Sequence, residues 1–335
     1  SSRAGRGRAL GPWFLLTQRR TRIASMQIDF SEDGAPSLIF NSESSDGDCD
    51  VQLGSLVVRV RQPVDGDRTL GTGGVMWQAG PALATALLAD ENYRAGTTRQ
   101  EIGSAIELGC GCSALPGLAL ALGGAIPHIL VTDTAEVMAS LGLNLRGYAC
   151  AATEEAHTHA QRIECIVPSP LDWNNVSTVA TMARGAGFEL VVAADTTDYS
   201  DVLQGALIDC CAAALSPLPH SRALFATAAR SEHCLDSFLR LLRANFVVTE
   251  LSSSLQQLND EDIRRAELKD DVRFFCATWV DAATAVRMRG SLGARDGSTA
   301  GAGEDRSPCE PPLKEAGEAV LPAVSMLDPD GRAVR

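Results

Sequence analysis

Apolar and polar positions along this chain fall into blocks: short β-branched runs closed by turn signals, separated by longer stretches with helical spacing. The runs predict strands over 37–40, 56–61, 104–108, 128–132, 162–167, 188–193, 222–227, 245–251 and 271–279. Helices are predicted over 82–89, 118–122, 135–148, 201–215 and 234–242, with Pro81 suited to the first turn of the first. Residues 150–161 read as a polar insertion, and 255–268 as a polar, acidic excursion before the last strand. From residue 104 onward strand and helix alternate, which predicts an α/β fold with a parallel sheet and helices on both faces. Four regions follow: a leader or disordered segment over 1–36, an N-terminal β unit over 37–70, a main domain over 71–280 and a disordered tail over 281–335, rich in Gly, Ala, Ser, Asp, Pro and Arg.

The first strand of the alternating region runs into Glu107-Leu-Gly-Cys-Gly111-Cys-Ser-Ala114, a glycine turn opening a helix. Gly109 and Gly111 let the backbone turn sharply and approach a ligand, and the helix behind them offers unpaired N–H groups. Gly109-x-Gly111-x-x-Ala114 also satisfies a degenerate dinucleotide fingerprint. Glu107 argues for a different cofactor, because a carboxylate there repels a pyrophosphate and suits an ammonium group. S-adenosylmethionine carries such an ammonium, together with a sulfonium. Without a ligand, the same residues make a tight strand-to-helix turn.

Ligands of such sheets bind beyond the carboxyl ends of the strands. The successive strand ends carry Glu107, Asp133, Asp172-Trp173 and Asp195. Each acid alone could cap a helix; four at one rim point to a polar ligand site. Trp77, just ahead of the first domain helix, is either a core anchor or a flat wall for a planar ligand.

The formal net charge of −13 argues against nucleic acid as a partner and favours a basic protein. Cys165, Cys210, Cys211 and Cys276 fall within apolar patterns, where free thiols act as small hydrophobes. With no C-x-x-C pair and no secretory segment, a reducing compartment is expected. Cys110-x-Cys112 and His157-x-His159 lack the further ligands a metal would need, so no metal is expected. No apolar run has the length of a membrane span, and a monomer is expected. Residues 1–25 hold six arginines and no acid, as in a mitochondrial transit peptide, yet the first methionine is Met26. The expected location is cytoplasmic or nuclear, or mitochondrial if that stretch is a transit peptide.

Taken together, Met76-Trp77, Glu107-Leu-Gly-Cys-Gly111, Thr132-Asp133, Leu171-Asp-Trp173 and Ala194-Asp-Thr-Thr-Asp-Tyr199 resemble the motif series of the seven-β-strand S-adenosylmethionine-dependent methyltransferases. More narrowly, the chain resembles the "methyltransferase-like" protein lysine methyltransferases, often called family 16, over roughly residues 56–280. The resemblance implies a Rossmann-like seven-stranded sheet whose final strand is antiparallel, with S-adenosylmethionine as cofactor and a protein lysine as acceptor. Arginine, histidine or a small molecule as acceptor, and a catalytically weak cofactor-binding module, are the alternatives. Two departures stand out. The turn reads Gly-Cys-Ser-Ala-Leu-Pro-Gly instead of Gly-x-Gly-Leu-x-Gly, and Asp198 occupies the place of the usual tyrosine, with Tyr199 one residue later.

The resemblance assigns Glu107 to the methionine end, Gly109 and Gly111 to close approach, and Asp133 to the ribose hydroxyls. Trp173 flanks the adenine, Asp172 accepts from its exocyclic amine, Trp77 closes the pocket, and Ala194 belongs to the same wall. Methyl transfer to an amine is an in-line displacement, for which the protein must align the nucleophile and let it lose a proton. A carboxylate beside the acceptor can orient it; Asp195 is the candidate, with Asp198 and Tyr199 shaping the acceptor site.

Overall fold

The computed structural model describes residues 48–53, 56–62, 68–90, 93, 102–155, 157–183, 185–228, 230–251 and 272–294. The leader over 1–36, the strand expected over 37–40 and the excursion over 255–268 lie outside the described residues, as does the tail beyond 294.

A two-stranded antiparallel hairpin comes first, β1 (Cys49–Leu53) and β2 (Leu56–Val60). One 3-10 stretch (Arg68–Gly74), broken at Gly71 where φ is 53° and ψ −137°, leads to α1 (Ala79–Ala89). The main sheet then builds from β3 (Ser104–Leu108), α2 (Leu115–Gly123), β4 (His128–Asp133), α3 (Ala135–Glu155), α4 (His157–Ile163), β5 (Ile166–Pro170), α5 (Val176–Met182), β6 (Leu190–Ala194), α6 (Asp201–Ala214), β7 (Arg222–Ala228), α7 (Glu232–Arg243), β8 (Phe246–Glu250), β9 (Val272–Trp279) and α8 (Ala282–Ala294). Its strand order is β5-β4-β3-β6-β7-β9-β8, parallel except for β9, which runs antiparallel to both neighbours. The expected seven strands and antiparallel final strand are therefore present.

The central strands bury alternate side chains on opposite faces, as a sheet covered on both sides requires. Leu190 and Val192 pack with α1, α2 and α3, whereas Val191 and Ala193 pack with α5, α6 and α7. Helix α2 is buried all round (Leu115 to Leu122), consistent with its uniformly apolar sequence. The chain steps outward from β3 to β5, then returns to β6 on the other side of β3. That reversal opens a crevice beyond the carboxyl ends of β3 and β6.

Several expectations need correction. The insertion over 150–161 is helical, since α3 continues through Ala- and Glu-containing sequence and α4 follows. Its helix also displaces the next strand, expected over 162–167, to Ile166–Pro170. Two prolines are tolerated there because β5 is an edge strand. The tail expected from 281 starts with a helix: Asp281 accepts the Thr284 N–H at 2.6 Å, and Ala285 and Leu292 are buried. With so few apolar anchors, α8 leaves little periodic signal. Helix α5 also lacked one.

Candidate functional site

The crevice holds a cavity of about 360 Å³, within the ordinary range for a small-molecule site. Trp77, Gly109, Gly111, Asp133, Asp172, Trp173 and Ala194 line it, together with Asp195 and Tyr199; Glu107 and Asp198 do not. Thus the strand-end motifs, scattered over more than a hundred residues of chain, converge on one wall.

The turn after β3 forms its floor. Gly109 and Gly111 have φ of 74° and 58°, where a side chain is strained. A Cβ on Gly109 would also lie 2.7 Å from Cζ2 of Trp173, so the indole rests directly on the turn. Asp133 braces this floor from β4: its Oδ2 accepts the Gly111 N–H at 2.8 Å and its Oδ1 the Thr134 N–H at 2.8 Å. Burial raises the Asp133 pKa above its usual value, against the lowering effect of those two bonds. From α3, Asn144 donates to Cys112 O at 2.7 Å and Tyr148 to Ser113 O at 3.1 Å, which fixes the turn from behind.

Glu107 requires a correction. Its carboxyl was expected to face the ligand, yet the side chain is 1% exposed and its Oε2 accepts the Gly117 N–H at 2.8 Å. It caps α2, whose N-cap residue Ala114 supplies no side-chain cap. Burial lifts its pKa to about 8, the Gly117 bond opposing and Asp133 adding to the rise. A carboxyl in that state is mostly protonated at neutral pH, so it presents little charge to an ammonium.

The roof is a feature that sequence reasoning missed. Gly71-Thr-Gly-Gly74 reads as a break between regions, but Leu70, Gly71, Thr72 and Gly73 all line the cavity. Gly73 O accepts the Cys112 N–H at 2.7 Å, and a Cβ on Gly73 would fall 2.6 Å from Val137 Cγ2. This glycine-rich strap lies against the turn and α3 because it has no side chains to hold it off. The run of three glycines in four residues was its signal. Trp77 donates from Nε1 to Thr72 O at 2.8 Å, and Tyr199 Oη shares a hydrogen bond with Thr72 Oγ1 at 3.1 Å. Tyr199 also meets Trp173 edge to face, with ring centroids 5.8 Å apart.

Asp195 sits at the end of β6 with φ of 54°, an unusual backbone state that Asp tolerates better than most residues. Its side chain is 1% exposed and fully engaged. Oδ2 accepts the Ala79 N–H at the start of α1 at 2.8 Å, and Oδ1 the Ala228 N–H at the end of β7 at 2.9 Å. Arg230 donates to both oxygens, at 3.3 and 3.2 Å, and to Asp198 Oδ2 at 2.9 Å. The Arg230 guanidinium also lies 4.7 Å from the centroid of the Trp77 ring. Burial disfavours its charge, but Asp195 and Asp198 outweigh that and raise its pKa. With four donors on its two oxygens, Asp195 is crowded as a direct acceptor of an incoming amine; its geometry is that of a knot joining α1, β6 and β7. Asp198, read as part of the acceptor wall, turns to Arg230 instead.

Thr196, also missed from sequence, lines the cavity with a buried hydroxyl that has no partner among the described residues. An unpartnered buried hydroxyl beside strained glycines, an aromatic face and the Asp133 carboxylate fits a polar, planar ligand such as S-adenosylmethionine.

A family model described as lysine methyltransferase matches residues 62–245 of the chain. Among solved structures, an O-methyltransferase family protein from Burkholderia thailandensis is similar with 10% identity and a TM-score of 0.40, covering 61% of this chain and 56% of that one. The rRNA methyltransferase aviRa from Streptomyces viridochromogenes has 11% identity and a TM-score of 0.38, covering 67% of this chain and 96% of its own. Human N-acetylserotonin methyltransferase in complex with SAM has 14% identity and a TM-score of 0.33, covering 60% and 52%. The chain spans a little over half the length of the first of these. No curated protein matches.

Proposed function

The chain belongs to the lysine methyltransferase family, and from that premise we propose that it transfers the methyl group of S-adenosylmethionine to lysine side chains of a protein. The observation that carries the reading is the single cavity in which the donor turn and the 194–199 segment share one wall. Gly109 and Gly111 would hold the donor, and Trp77, Thr196 and Tyr199 line the same cavity, where an acceptor would have to meet it.

S-adenosylmethionine is the cofactor and supplies an activated methyl group when bound. Asp133 accepts from the ribose hydroxyls with the lone pairs its two backbone bonds leave free. Trp173, resting on Gly109, would flank the adenine, with Asp172 and Ala194 lining the same wall. The Thr196 hydroxyl turns to the ligand. On the acceptor side, Trp77 and Tyr199, each bonded to Thr72, offer aromatic surface to the apolar stem of lysine. Asp195 acts there as a positioning residue, holding Trp77's segment and β7 in register. The acidic net charge favours a basic protein substrate.

The test is transfer of tritiated methyl from S-adenosylmethionine to poly-L-lysine and to lysate proteins, followed by hydrolysis and amino-acid analysis. N-methyllysine is expected. Label recovered as methylarginine, methylhistidine or a small molecule would move the acceptor class while keeping the methyl donor. Cofactor binding with no transfer to any acceptor would favour a binding module.

A further inference from the structure

We propose that Arg230 sets the charge at the point of methyl transfer, offsetting Asp195 and Asp198 so that an acceptor amine is delivered in its neutral form. The proposal rests on the reading of an amine acceptor. No basic side chain among the described residues lines the cavity, whereas Asp133, Asp172 and Asp195 do. Unopposed carboxylates at that wall would hold a lysine as ammonium, which has no lone pair to attack with. A lysine in water, with a pKa of about 10.4, already favours that unreactive form. In the transfer the acceptor nitrogen's lone pair forms the N–C bond as the C–S bond breaks, the bonding pair staying on sulfur. One ammonium proton must therefore have left to solvent beforehand.

Arg230 is built into the place where this can be controlled. It lies on the Trp77 ring and holds Asp195 through both oxygens and Asp198 through one. The groups facing it come from two elements: Asp195 and Asp198 from the segment between β6 and α6, and Trp77 from the segment before α1. On its own side of the chain, Glu232 is directed to Arg273, at 3.6 Å. The cavity's other titratable groups are already engaged: Asp133 by Gly111 and Thr134, Asp172 by Asn174, and Tyr199 by Thr72. Within the cluster of Asp195, Asp198 and Arg230, two carboxylates against one guanidinium leave a net charge near −1, and loss of Arg230 would double it.

The experiment compares Arg230→Gln, Arg230→Lys and Asp198→Asn with the parent, each checked for its thermal midpoint. Calorimetry gives the ratio of dissociation constants for S-adenosylhomocysteine and S-adenosylmethionine, which differ by the sulfonium charge. The pH profile of kcat is measured at saturating poly-L-lysine. Arg230→Gln should shift the ratio in favour of the cation by at least about threefold and move the alkaline rise of kcat, which reports the bound amine, upward by about half a pH unit or more. Arg230→Lys should restore both, and Asp198→Asn should move both in the opposite direction. An unchanged ratio in a folded Arg230→Gln variant overturns the proposal. So does Arg230→Lys behaving like Arg230→Gln, since that assigns Arg230 to stacking and hydrogen bonding alone. If Arg230→Gln does not fold, the sign of the Asp198→Asn shift decides between the same outcomes. A shifted ratio without any methylation of poly-L-lysine supports the charge assignment and counts against the lysine reading.

Discussion

The two ends of the cavity are built in different ways. At the end proposed for the donor, the carboxyls are held by backbone N–H groups of the turn and helix ends at the sheet's rim: Asp133 by Gly111 and Thr134, and Glu107 by Gly117. At the acceptor end, side chains clasp partners distant in sequence: Asp195 reaches Ala79 and Arg230, and Tyr199 reaches Thr72. A backbone cradle tolerates variation in side chains but not in backbone conformation. A side-chain network is the reverse, and it also places the charges. The donor end should therefore fail by steric blockade, and the acceptor end by loss of coupling.

The harshest way to break the comparison is Gly109→Arg. With φ at 74° and Trp173 lying 2.7 Å from the added Cβ, the new side chain must fill the cavity. Calorimetry should detect no S-adenosylmethionine binding while circular dichroism reports a folded sheet. Unchanged affinity would place the donor elsewhere.

Asp195→Asn probes the other end. It keeps the shape but weakens four contacts, so we expect methyl transfer to fall about a hundredfold with cofactor affinity changing less than about tenfold. Chemical denaturation should also show a loss of roughly 1–3 kcal/mol, because Arg230 loses a buried partner. Equal loss of affinity and turnover would erase the distinction between the two ends. Asp133→Ala, on the donor side, removes a charge-assisted contact of about 1.5–3 kcal/mol and should weaken cofactor binding roughly ten- to a hundredfold. An unchanged dissociation constant would reduce Asp133 to a brace for the turn.

The effect furthest from methyl transfer concerns Glu107 and pH. Its carboxyl titrates from an ordinary 4.5 in the unfolded chain and at about 8 when buried. Between those values the native state holds a proton that the unfolded state has released, so stability falls as pH rises through this window. Glu107→Gln keeps an acceptor for Gly117 and removes the titration. Urea unfolding at about pH 5.5 and about pH 8 should show the parent losing stability while the variant stays level. Parallel behaviour would mean that Glu107 is charged in the folded protein.

Much of this architecture was legible along the chain. Short apolar runs announced the central strands, since β3, β6 and β7 are buried along most of their length and have little freedom in composition. The glycine turn and the acids at the strand ends marked the cavity, because topology carries every parallel strand end to the same rim. The chain's charge and thiol pattern likewise needed no coordinates. Contact geometry decided the rest. Local sequence cannot tell whether the Glu107 carboxyl points up to a ligand or down to Gly117, and the difference moves its charge. Nor does it reveal that Gly71–Gly74 folds over the turn, that α8 packs through only a few apolar residues, or that Arg230 meets Asp195 across 35 residues. Periodicity records which side chains are buried. Which charge lies beside which depends on loops closing in three dimensions, and only the tertiary structure settles that.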